Sequence, residues 1–72
     1  MEALKEVQTV VGGRLTVSPR GLAVLTVNNG EKIFNVYQKS SGVQILMPNG
    51  ERKPFKSAKL CSDWMKVIGA KE

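Results

Sequence analysis

Glycine cuts this chain into short lengths, and that punctuation limits its fold more than any other feature. Gly12-Gly13, Gly21, Asn28-Asn29-Gly30, Gly42 and Asn49-Gly50 recur at intervals too short for long helices between them. The intervening runs are rich in β-branched residues, which is the pattern of an antiparallel meander. Arg14–Ser18 (RLTVS) alternates, with Leu15 and Val17 on one face and Arg14 and Thr16 on the other. Leu22–Val27 (LAVLTV) is more uniformly apolar, as a central strand would be. Lys32–Lys39 (KIFNVYQK) places Phe34 and Val36 inward and Asn35, Tyr37 and Lys39 outward. Val43–Met47 (VQILM) repeats the alternation and stops at Pro48, which has no N–H to give a ladder.

After the strands the period changes from two to nearly four. Ser57 is suited to cap a helix N-terminus, since its hydroxyl can accept from free backbone N–H groups of the first turn. Leu60, Cys61, Trp64, Val67 and Ile68 then fall on one face, and Gly69 stands where a left-handed C-cap is favoured. The N-terminal residues have helical spacing at Leu4, Val7 and Val11, yet the sequence VQTVV is made of strand formers. The expected architecture is therefore an α+β two-layer fold in one domain spanning residues 1–72. Residues 1–12 form an arm or short helix, 14–47 a meander of three to four strands, and 57–68 a helix that covers one sheet face. Leu60 and Trp64 lead the covering face in this reading.

The chain has 72 residues, one cysteine and no histidine, so neither an internal disulfide nor a four-ligand zinc site can brace it. A homodimer is the remaining common means of burying more surface. The same absence removes Ser-His-Asp and Cys-His nucleophile arrangements. No phosphate-cradling GxxxxGK[ST] loop is present, and Glu31, Glu51 and Asp63 all fall at polar positions, so no catalytic centre, metal or cofactor is expected. Cys61 lies on the apolar helix face and reads as an inert core thiol. A free cysteine with no secretory leader fits a cytoplasmic protein, and no apolar run is long enough to span a membrane.

Charge supplies the one positive indication of function. Eleven Lys/Arg against six Asp/Glu give +5, the balance of a chain that attracts polyanions. Four cations fall within eight residues, Arg52, Lys53, Lys56 and Lys59, around Phe55 and the start of the helix. They are the candidate phosphate contacts. The sheet face left uncovered by the helix carries Arg14, Tyr37 and Lys39, and Tyr37 is the candidate to stack on a base. Phe55 is assigned to the core, as a staple between helix and sheet.

The order of Asn-Gly turn, basic stretch, Phe55, Ser57 and Trp-bearing helix over Asn49–Ile68 is similar to the arm-site DNA-binding domains of tyrosine recombinases. The strand-rich start with a terminal helix also resembles a family of dimeric single-stranded-DNA binders. Both resemblances imply a nucleic-acid partner, with DNA ahead of RNA, and the first implies a regulator or accessory factor of a mobile element. The alternative expectation is a protein-binding module or inhibitor that docks on an acidic partner through its sheet.

Overall fold

The computed structural model describes residues 2–72. Its elements run α1 (Glu2–Val11), β1 (Arg14–Val17), β2 (Ala23–Asn28), β3 (Ile33–Lys39), β4 (Gly42–Leu46), β5 (Arg52–Phe55) and α2 (Ala58–Val67). The strands form one antiparallel sheet in the order β1-β2-β3-β4-β5, each paired with its neighbour in sequence. The α+β class and the meander stand as expected. The strand number and the cover do not: among the described residues there are five strands rather than three to four, and the arm or short helix expected at the N-terminus is a helix that shares the covering layer with α2.

These two differences belong together. Five strands span about 20–24 Å across the sheet, and one helix with its side chains covers only ~10–12 Å. A single C-terminal helix would leave half the apolar face in water. The N-terminal segment resolves its ambiguity accordingly, becoming a helix whose Leu4, Val7 and Val11 are wholly buried. Strand propensity in VQTVV gives way to the burial of three large side chains at helical spacing. The helix α1 lies chiefly over β1–β3, α2 over β4 and β5, and the two helices pack against each other.

β5 escapes the sequence pattern because Arg52-Lys53-Pro54-Phe55 offers a single large apolar residue and a proline. Pro54 is tolerated because β5 is an edge strand, paired only with β4. The backbones approach closely there. A side chain at Gly42 would place its Cβ 2.1 Å from the Phe55 carbonyl oxygen, and Gly42 has φ of 139°. Only glycine fits that position.

Alternation is borne out at the centre of the sheet. Leu25, Val27, Phe34, Val36, Val43 and Ile45 are all buried against the helices. At the β1 edge Leu15 is half-buried and Val17 exposed.

The helix α2 begins and ends as the sequence predicts. The Ser57 hydroxyl accepts from Leu60 N–H at 3.3 Å. At the other end Gly69 N–H donates to Lys66 O and Ala70 N–H to Met65 O, the paired bonds of a Schellman cap, with Gly69 at φ of 77°. Between those ends the helix is rotated from the expected face. Ala58, Cys61, Ser62 and Met65 are buried, whereas Leu60, Val67 and Ile68 are exposed and Trp64 is only half-buried. The presence of α1 is the reason, since the buried arc of α2 must meet both the sheet and a second helix. Trp64 instead lies against Phe55, ring centroids 5.6 Å apart, at the margin of the core.

The chain then closes on itself. Ala70 is fully buried, Glu72 N–H donates to Val11 O at 2.9 Å, and a Glu72 carboxylate oxygen accepts from Asn28 N–H at 3.1 Å. Among the described residues no helix is long and apolar enough to cross a membrane.

Candidate nucleic-acid interface

Both helices lie on one side of the sheet, so the other side has no layer over it. Register defines its rows. Arg14, Thr26, Asn35, Leu46 and Arg52 stand opposite one another in sequence across all five strands. The next row is Thr16, Val24, Tyr37, Gln44 and Pro54. Beyond it Lys39 pairs with Gly42. The outward placement of Arg14, Tyr37 and Lys39 read from alternation agrees with this register.

No strand position on this face carries a carboxylate. Glu2, Glu6 and Asp63 belong to the helical layer, and Glu72 sits at the β2 end. Glu31 and Glu51 lie in the two turns at one end of the sheet, so the face grades from mixed charge there to purely cationic at the other end. That second end carries Lys39, Arg20 in the β1–β2 turn and Lys56 after β5.

Two shallow clefts mark the cationic end. One of about 710 Å³ is lined by Lys39, Gln44, Arg52 and Lys56. The other, about 840 Å³, is lined by Thr16, Leu22, Val24, Tyr37 and Lys39 among others. Lys39 borders both. Tyr37 is half-buried, so its ring has a supported edge and an accessible surface. Beside it the Thr26 hydroxyl donates to Asn35 Oδ1 at 3.1 Å. With its carbonyl oxygen engaged, the Asn35 amide keeps its NH₂ donors for other partners.

The basic stretch is divided by the strand it forms. Successive side chains of β5 point to opposite faces. Arg52, opposite Leu46, joins the open face, while Lys53, opposite the buried Ile45, points to the helical side. The Lys53 ammonium sits 5.4 Å from the Trp64 ring centroid and 5.7 Å from that of Phe55. This is a cation–π contact over the aromatic pair. Lys56 lines the cationic cleft, and Lys59 is exposed on α2 in the helical layer. The structure thus groups Arg14, Tyr37, Lys39, Arg52 and Lys56 about one face and sets Lys53 and Lys59 apart. Phe55 is half-buried against Trp64, the packing role expected of it.

Gln44 lies on the open face by the alternation of Val43–Met47, but its place beside Lys39, Arg52 and Lys56 comes only with β5. Recognising β5 would have brought Lys56 opposite Gly42 and revealed the cleft. No family model, curated protein or solved structure matches this chain.

Proposed function

We propose that this chain is a small, non-enzymatic nucleic-acid-binding protein that lays a single strand across its open sheet face. The observation that carries the reading is an uncovered five-stranded face without a strand carboxylate, bounded by Arg14 and Arg52 and centred on Tyr37. Cations at the margins neutralise phosphates, while the ring of Tyr37 and the half-buried Val24 and Leu46 give bases an apolar and aromatic seat. Asn35 and Gln44 supply amide donors and acceptors for base edges.

Width favours an unpaired strand over a duplex. The major groove is ~12 Å wide and admits a helix or a two-stranded ribbon. The face between Arg14 and Arg52 is about 19 Å across, four strand spacings, and does not enter that groove broadside. DNA is placed ahead of RNA as the substrate.

Equilibrium titration of oligo-dT and of a duplex of equal length, each over a range of salt, tests this reading. Four phosphate contacts, at Arg14, Lys39, Arg52 and Lys56, give a log–log salt slope near −3 for the single strand at ~0.7 per contact. Tighter binding of oligo-dT with that slope is the expected result. Absence of binding to either, or a clear preference for the duplex, contradicts it.

A further inference from the structure

The cleft between the β3–β4 turn and β5 concentrates positive charge at one corner of the open face. It is lined by Lys39 at the end of β3, Ser40 and Ser41 in the turn, Gln44 on β4, and Arg52 and Lys56 on either side of Pro54. No carboxylate lines it. The neighbouring cleft beside Tyr37 has Lys39 as its one cation, and the cleft at the opposite end of the face sets Glu31 beside Lys32. The fold gathers this charge from separate parts of the chain. Gly42 has no side chain, so the Phe55–Lys56 backbone closes against it and brings Lys56 to the serine turn. β5 is the edge strand, so the sheet ends at this corner.

A phosphodiester inside a strand carries one negative charge on two free oxygens. A terminal phosphate monoester carries about 1.5–2 negative charges at pH 7 and presents three acceptor oxygens. Three cations and two hydroxyl donors about one cleft match the monoester and exceed what a single diester can use. A strand laid across the face from Arg14 also runs out of sheet here, which is where its end would lie. We propose that this cleft seats a phosphate monoester at the end of the bound strand, so that the protein prefers phosphorylated ends to hydroxyl ends. The inference rests on the single-strand reading above and adds recognition of an end to it. The chemistry is that of the monoester, and either the 5′ or the 3′ end can supply it.

The test titrates oligo-dT of one length in four forms: with a 5′-phosphate, with a 3′-phosphate, with hydroxyls at both ends, and with the preferred phosphate capped as its methyl ester. The cap keeps the group and removes its second charge. At least one phosphorylated form is expected to bind about tenfold more tightly than the hydroxyl form, the scale of a set of charge-assisted hydrogen bonds. The larger gain names the end that the cleft takes, and the methyl ester should lose most of it. Lys56→Gln should bring the ratio of phosphorylated to hydroxyl-ended affinity close to one. Arg14→Gln, at the far edge of the sheet, should weaken every form alike and leave that ratio unchanged. Both side chains are exposed, so neither substitution should unfold the protein. Equal affinity for all four forms overturns the end site while strand binding stands. A preference that survives methyl capping or Lys56→Gln overturns it too, as does thymidine monophosphate binding as tightly as the phosphorylated strand. If no oligonucleotide binds, the single-strand reading fails and the end site with it.

Discussion

Arg14 and Arg52 occupy the two edge strands of the sheet and stand in one row of its open face, joined through Thr26, Asn35 and Leu46. They are 38 residues apart in sequence, and only the complete meander aligns them. If both hold phosphates of one bound strand, Arg14→Ala and Arg52→Ala should each make the salt slope shallower by ~0.7. The loss should be similar for every oligonucleotide sequence, because phosphates carry no base identity. Stability should move by less than about 0.5 kcal/mol, since both side chains are exposed.

Neighbouring Arg52 and Lys53 should behave oppositely. Lys53→Ala removes the ammonium over Trp64 and Phe55, and should cost about 0.5–1 kcal/mol of stability, the range of a partly exposed cation–π contact. Its effect on oligonucleotide affinity should be small beside that of Arg52→Ala. Chemical denaturation run in parallel with the binding titrations distinguishes the two residues.

Met65 and Leu60 test the rotation of α2. Met65→Ala empties a wholly buried position and should cost about 2–5 kcal/mol. Leu60→Ala should stay within about 0.5 kcal/mol, because half of that side chain is already in water. If the two costs were reversed, the inward arc would be the one led by Leu60.

Much of the fold was legible because strand parity is strict. Phe34, Val36 and Ile45 could face only one way once Tyr37 and Lys39 faced the other. Ser57 and Gly69 marked the ends of α2 by their cap chemistry. The inward face of α2 was not legible, since a helical wheel shows two adjacent apolar arcs and does not say which the core takes. Leu60, Trp64 and Ile68 are larger than Ala58 and Ser62 and dominate the wheel, while Cys61 faces inward in both arrangements. The space left by α1 decided otherwise. At the candidate interface, Arg14, Tyr37 and Lys39 followed from alternation alone. The separation of Arg52 from Lys53 did not, because Pro54 concealed the strand that turns them apart.

Cys61 should resist thiol reagents in the native state. It is fully buried, and desolvation pushes its thiol from 9.0 up to about 11. The folded protein therefore disfavours the thiolate. The stability linked to this group is whole below pH ~9 and is lost as pH rises toward ~11. Labelling with a thiol-specific reagent at neutral pH should be slow until denaturant is added, and rapid native labelling would contradict the burial.

Gly42→Ala should be costly for a surface position, because the new Cβ meets the backbone of β5 and the residue has φ of 139°. A loss above about 2 kcal/mol is expected, with the β4–β5 pairing the first to open in hydrogen exchange. Loss of that pairing should also weaken oligonucleotide binding, since Arg52 and Lys56 depend on the placement of β5.

The most direct test of binding across the sheet is an amide chemical-shift map of the labelled protein titrated with oligo-dT. Perturbations are expected at Thr26, Asn35, Tyr37, Lys39 and Gln44, with α1 and the outer flank of α2 unmoved. Perturbations centred on Leu60–Ile68, or none at concentrations that saturate binding, would contradict a nucleic-acid site on the open face.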